Sequence, residues 1–281
     1  SPRGDSRLPK GSLRKADTAL IVATILLGPG ADLTVGDAVR SACAHVDAFL
    51  LIESGGGSMA LGEAWRAVTG ADARAYEASY VWAGDYGAAR QFALDEARRL
   101  GATFAVTLDP DERLALKETF RARLSAYPSV DVWILQDRDT RYFKERVIRC
   151  SAAHAHWHGI VCESLEGDAT RGKLDGAFWE LPKNDGQNTA RYERGVIAAD
   201  RMIDGGDDRF KWRRHKGSCL AGLGRLDEAL AEYERAHEIA VHPEERAWSA
   251  YLICEQLVLR EDFARAWSLA TESLGHHAGF L

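Results

Sequence analysis

Asp109, Asp111 and Glu112 stand within four positions of one another, directly after the apolar run Phe104–Leu108. Carboxylates this close repel one another unless a cation or a proton intervenes. A hard divalent ion carrying diphosphate oxygens resolves that repulsion economically, because Mg²⁺-type sites combine one or two carboxylates with substrate phosphates. Upstream, Arg90 lies near the start of an amphipathic helix, where its guanidinium can hold a diphosphate or order the acidic loop. Downstream, Glu163 is a carboxylate able to take a proton from an attacking hydroxyl, and Asp137 and Asp139 compete for that role from a charged turn. His154, His156 and His158 alternate along one short segment and share a strand face; three imidazoles can bind zinc, but no fourth ligand stands at zinc spacing.

These groups need a scaffold, and the hydrophobic pattern supplies one. Phe104–Leu108, bounded by Gly101 and Pro110, reads as a short buried strand. In an open α/β sheet, ligands bind at the carboxyl ends of the strands, which is where Asp109 and Asp111 then fall. Thr18–Leu27 is a continuous apolar run fitting a buried parallel strand, broken by Gly28-Pro29-Gly30. Helical spacing over Leu33–His45 and a second strand at Ala48–Ile52 complete a βαβ unit, whose crossover is expected to be right-handed. A short helix at Glu63–Val68 and a third strand at Ala75–Val81 follow, then Trp82–Tyr86 and the Arg90 helix. Beyond the acidic motif come a helix at Leu116–Ala126 and two strands, Val130–Gln136 and Tyr142–Cys150, joined by Asp137–Arg141. Gly167–Asp185 is rich in Gly, Asp and Lys and reads as a mobile connection, a lid and a domain boundary.

The run GDYGAARQFALDEA…ATFAVTLDPDERL resembles the nucleotide-sugar half of family-two glycosyltransferases of the GT-A fold. That family carries an Arg-containing helix followed by an apolar strand ending in D-x-D or D-x-D-E, and Arg90, Asp109, Asp111 and Glu112 fall on those positions; Gln91 replaces the usual Asn. The resemblance implies a GT-A-like, Rossmann-related mixed-sheet domain that moves a sugar from a nucleotide-sugar donor to a peptide, glycan or other nucleophile. It implies a Mn²⁺ or Mg²⁺ cofactor, with Glu53, Asp85, Arg90 and Asp109 toward the donor and Asp109 and Asp111 toward the metal. With the family's His replaced by Cys162, His156 or His158 is the candidate substitute, and His158 is taken as the third metal candidate. Gly159, Val161, Glu163 and Leu165 match a second element of such enzymes, with Cys162 in place of its His, which makes Glu163 the candidate base of an inverting transfer and Asp137 its competitor. Glu53, Gln91 and Cys162 depart from the pattern and support an alternative, a catalytically degenerate domain serving as a binding scaffold.

The last third changes character. Gly224–Leu230 with Tyr233 and Ala236 matches the second helix of a tetratricopeptide repeat, with Trp212, Gly217 and Leu220 on the first. A second copy carries Trp248, Leu252 and Leu257, then Asp262–Ala266 and Ala270; Ala229 to Ala266 spans 37 positions, near the roughly 34-residue period with a short insertion at His242–Glu245. The expected layout is a frayed segment 1–16, a catalytic domain 17–180 and a helical-repeat domain 181–281 that docks a protein partner or a second copy. At 281 residues, 46% hydrophobic and 28% charged, the chain is expected to be globular. Its net charge of −6 argues against a general nucleic-acid or membrane surface. Five cysteines without a C-x-x-C pair suggest reduced thiols and a cytoplasmic setting. No signal-peptide pattern is expected, and no apolar run approaches the roughly 18 residues that span a bilayer.

Overall fold

The computed structural model describes residues 19–138, 143–160, 163–180 and 188–276. The expected frayed segment 1–16 lies outside them, as do Asp139, Val161 and Cys162. By internal contacts the chain divides into two units, an α/β unit and a helical unit.

The α/β unit opens with β1 (Ile21–Leu27), a 3-10 turn at Ala31–Leu33, α1 (Val35–Ala42) and β2 (Ala48–Ser54), the expected βαβ unit with the helix shortened at both ends. Next come α2 (Ser58–Gly70), β3 (Arg74–Tyr80), α3 (Tyr86–Arg99) and β4 (Phe104–Thr107). The helix expected at Glu63–Val68 runs over Ser58–Gly70, its added first turn held to the core by Ala60 and Leu61. A three-residue strand β5 (Arg113–Ala115) follows the acidic motif, then α4 (Phe120–Ala126), β6 (Val132–Asp137), β7 (Phe143–Arg149), the short pair β8 (His156–His158) and β9 (Ser164–Glu166), and β10 (Arg171–Glu180).

Eight strands form one sheet in the order β3-β2-β1-β4-β7-β6-β10-β5. Strands β1 to β4 are mutually parallel, β7 runs antiparallel between β4 and β6, and β10 lies parallel to β6 and antiparallel to β5. Chain order moves from β1 outward to β2 and β3, then returns to the other side of β1 as β4. That reversal is a topological switch point at the carboxyl ends of β1 and β4, the position at which open α/β sheets bind ligands. The mobile connection expected at Gly167–Asp185 is corrected over most of its length: Arg171–Glu180 is a ten-residue strand whose pairing partners on both sides outweigh its glycines and charges.

Alternation along β1 explains the two layers. Ile21, Ala23, Ile25 and Leu27 face α1, α2 and α4, meeting Val39, Ala64 and Phe120. Val22 faces the other way, into a second core of Leu50, Ala93, Leu94, Trp157 and Leu165, built under α3 and the β8–β9 pair. Burying side chains such as Phe49 and Phe104, both fully enclosed, contributes about 1.5–3 kcal/mol each. Gly57 is required where α2 begins, since a Cβ there would sit 1.9 Å from the Leu27 carbonyl oxygen.

In the helical unit α5 (Asn188–Asp204), α6 (Phe210–Gly222), α7 (Leu226–Ile239), α8 (Pro243–Leu259) and α9 (Phe263–His276) pack each on the next. Tyr233 is buried against Gly217, where a Cβ would come within 2.5 Å of its ring. Leu220, Ala229, Ile253, Leu257 and Ala266 complete this core, whereas Trp248 is partly exposed. His242–Glu245 is not an inserted loop: His242 caps α8, and the Glu245 carboxylate accepts from the His242 N–H at 3.2 Å. Among the described residues no helix is long and apolar enough to cross a membrane.

Candidate active site

Helix α3 starts at Asp85, whose carboxylate accepts from the Ala88 N–H at 2.9 Å and so satisfies one of the donors a helix start leaves unpaired. Asp85, expected on the donor side, is the cap of α3. One turn on, Arg90 points inward and is 5% exposed. Its Nη2 donates to both oxygens of Asp109 at 2.9 and 3.0 Å, and its Nε donates to Oε1 of Glu163 at 2.5 Å. The guanidinium also lies 5.4 Å from the centroid of the Trp157 ring, within cation–π range. A buried cation is tolerated when its fork is filled by carboxylates, and here one fork joins two candidate site residues 54 positions apart in sequence (163 − 109).

A second guanidinium stands behind the acidic loop. Arg146, on β7, has a fully buried side chain that donates to Glu112 Oε1, itself buried, and lies 3.8 Å from Asp109 Oδ2. The other oxygen of Glu112 accepts from the backbone N–H of Asp109 at 3.1 Å, and the Glu112 N–H returns a bond to the Asp109 carbonyl at 3.0 Å. Lys144, two residues before Arg146 on the same strand, approaches Glu112 to 3.9 Å. Glu163, Arg90, Asp109, Arg146 and Glu112 thus form one alternating row of charge across α3, the β4 end and β7. Arg146, Lys144 and Trp157 were not among the expected site residues. Once β7 is seen to lie inside the sheet, Arg146 must be paired, because a buried charge is costly alone.

Burial alone pulls the Arg90 pKa down, but Asp109 and Glu163 more than reverse this, so it stands above the usual arginine range. Burial likewise works to raise Asp109, yet Arg90, Arg146 and Lys144 hold its carboxyl well below the ordinary range. Glu112 goes the other way: burial first, then repulsion from Asp109, push it up to about 7 against the pull of Arg146 and Lys144.

The remaining expected residues are placed as follows. Glu53 lies at the carboxyl end of β2, in register with Leu27 and Ser79, on the same sheet edge as Asp109. Asp111 is exposed on the loop between Asp109 and Glu112. Asp137 ends β6 beside Trp179 of β10. His156 and His158 occupy β8 with Trp157 turned inward between them; His158 is in register with Ser164, and His154 lies 3.7 Å from Asp131. Among the described residues no group of three or more His, Cys, Asp or Glu is placed to hold a metal, which corrects the set Asp109, Asp111 and His158 as a common three-ligand site. The physical reason is that Asp109 is drawn into the two guanidiniums while His158 belongs to the β8–β9 pair. Of the three carboxylates of this loop, that of Asp111 is the exposed one. Gln91, where the resembling family has Asn, bridges elements: Oε1 accepts from the Trp157 N–H and Nε2 donates to Asp95, both at 2.9 Å.

No protein-family model matches the sequence, and no curated protein matches it. Among solved structures, the chain is similar to residues 1–349 of S. aureus TarS in complex with UDP-GlcNAc, with 10% identity and a TM-score of 0.47 over 92% of this chain and 91% of that one. It is also similar to the mannosyltransferase PcManGT from Pyrobaculum calidifontis in complex with GDP-Man and Mn²⁺, with 13% identity and a TM-score of 0.48 over 97% and 89% of the two chains. Likenesses of this degree do not by themselves assign chemistry.

Proposed function

We propose that the α/β unit is a nucleotide-sugar-dependent glycosyltransferase working by an inverting, metal-assisted transfer. The observation that carries this reading is the bridge from Arg90 to both Asp109 and Glu163 at the carboxyl end of β4, beside the point where the strand order reverses. A site of this kind holds a phosphate-bearing donor against a carboxylate that can act as base. In it, Asp111 would hold a divalent cation, Mn²⁺ or Mg²⁺, which when bound would supply charge neutralisation on the leaving diphosphate. Glu53 and Asp109 line the donor side. Glu163 takes the proton of the acceptor hydroxyl, and Arg90 fixes the direction in which that carboxylate points. The helical unit, read as tetratricopeptide-like, docks the acceptor protein or a second copy. Free thiols at Cys43, Cys150, Cys219 and Cys254 support a reducing, cytoplasmic setting.

Thermal shift over UDP, GDP, CDP and ADP, each with and without Mn²⁺, tests donor binding, since a ligand of the native state raises its melting temperature. Sugar transfer or slow hydrolysis from the matching nucleotide sugar then tests chemistry. Glu163→Gln is expected to keep the thermal shift and lose turnover by about 10²–10⁴-fold; Asp111→Ala is expected to lose the Mn²⁺-dependent part of binding. Failure of every nucleoside diphosphate to shift the wild type, with or without metal, removes the transferase reading. A second reading, the degenerate binding scaffold, is favoured by one observation: both oxygens of Asp109 are engaged by Arg90. It predicts that same negative screen together with an intact fold.

A further inference from the structure

The acidic loop is fixed from behind by a residue outside the motif. We infer that Arg146 is a positioning residue of the donor site, acting through Glu112 on the backbone at Asp109 and so on the direction in which Asp111 is presented. This rests on the transferase reading above. Arg146 comes from β7, a strand hydrogen-bonded to β4, so its Cα is tied to the same sheet that carries the loop. Its guanidinium meets Glu112 Oε1, and Glu112 Oε2 holds the Asp109 N–H at 3.1 Å. The loop is therefore closed on itself by two bonds, Asp109 N–H to the Glu112 side chain and Glu112 N–H to the Asp109 carbonyl, with Asp111 carried on the outside of the turn. The side chains of Arg146 and Glu112 are 1% and 2% exposed, so neither is placed to touch a donor itself. Arg146 also lies 3.8 Å from Asp109 Oδ2, on which Arg90 acts from the α3 side. Two guanidiniums, one from α3 and one from β7, converge on this carboxylate and leave it little freedom to turn. The D-x-D-E glutamate is on this account a brace and not a metal ligand.

The test measures binding, so it does not depend on knowing the acceptor. Isothermal titration of UDP, GDP, CDP and ADP at saturating Mn²⁺, and of Mn²⁺ at saturating nucleotide, gives two constants for the wild type and for each variant. Arg146→Met is expected to weaken Mn²⁺ binding to the nucleotide-saturated protein at least about 10-fold, because Glu112 loses the guanidinium that orients it and the Asp109 N–H is no longer held in place. Adding Glu112→Gln to it is expected to restore the constant to within about 3-fold, since the Gln oxygen still accepts the Asp109 N–H and an amide needs no cation behind it. A purely structural arginine would lower the melting temperature and leave the Mn²⁺ constant alone. If Arg146→Met does not fold, Arg146→Lys carries the test: an ammonium lacks the fork and is expected to raise the Mn²⁺ constant about 3-fold or more, an effect absent when Glu112→Gln is also present. Constants equal to wild type in the folded single variant, or an equal loss in single and double variants, overturn the inference and leave the transferase reading standing. A wild type that binds none of the four nucleotides overturns both.

Discussion

Arg90→Met is the perturbation that asks most of this structure. Methionine keeps the length and most of the apolar stem but removes a guanidinium that makes three hydrogen bonds to two carboxylates. The side chains of Asp109 and Glu163 are 25% and 14% exposed, so water reaches them only in part once the cation is gone. Removing one partner of a buried ion pair costs about 3–5 kcal/mol, and the lost contact with Trp157 adds about 0.5–2 kcal/mol. Partial exposure of Asp109 argues for the lower end, so we predict a loss of about 4 kcal/mol. At about 2–4 °C per kcal/mol for a unit of this size, the melting transition is expected to fall by about 8–16 °C. Because the chain has two units, hydrogen exchange read on peptides from α3 and β8 is the assay of choice, as it reports the α/β unit by itself. Asp109→Asn in the same background should recover part of the loss, giving a coupling energy above about 1 kcal/mol in a double-mutant cycle. A loss under about 1 kcal/mol, or strict additivity of the two changes, would refute the claim that Arg90 holds the site together.

Acidity gives a second check, with opposite signs at neighbouring residues. Asp109 is held below the ordinary range, so its contribution is complete above about pH 5 and lost on acidification, whereas Glu112, raised from 4.5 to about 7, contributes stability that is complete below about 4.5 and lost as pH rises through 7. Glu112→Gln is therefore expected to flatten the fall in melting temperature between pH 5 and 8, and an unchanged slope would count against the buried acid. Gly57→Ala is expected to destabilise the α/β unit by more than about 2 kcal/mol in urea titration, since its Cβ would meet backbone and not a movable side chain. Gln91→Ala leaves the Trp157 N–H without its acceptor and is expected to cost about 1–3 kcal/mol, seen as faster exchange of that amide. Cys150, with its thiol pushed up to about 11 by burial, is expected to react more slowly than Cys43 with an alkylating reagent at pH 7, as judged by mass spectrometry of the labelled peptides.

Much of this arrangement was legible in the sequence, for identifiable reasons. Phe104–Leu108 is an apolar run closed by Gly101 and Pro110, so the strand and the loop after it declare themselves. Arg90 was legible as a helix residue near the loop, but not as the clasp on Glu163, because a contact between residues 73 apart leaves no periodic trace. Arg146 was hidden by its neighbours: Lys144, Glu145 and Arg146 form one charged run, which reads as solvated until the strand is seen to lie inside the sheet. β10 was misread because Gly172 and Gly176 suggest a loop, and only its partners β6 and β5 make it a strand. Gln91 looked like a loss against the family pattern and proved to tie α3 to β8.

The row from Glu163 to Glu112 also says something about how a donor arrives. With Glu112 ionised its signs run minus, plus, minus, plus, minus, and Lys144 near one end brings the sum to zero; with Glu112 protonated the sum is one positive charge. A bare doubly charged ion gains little by approaching a neutral ensemble, whereas a pyrophosphate already wearing its ion brings almost no excess charge and asks only for a handhold at Asp111. On this reasoning metal and nucleotide enter as a single particle. Titrating Mn²⁺ into protein free of nucleotide should then yield almost no heat, and a tight metal-only isotherm would contradict it.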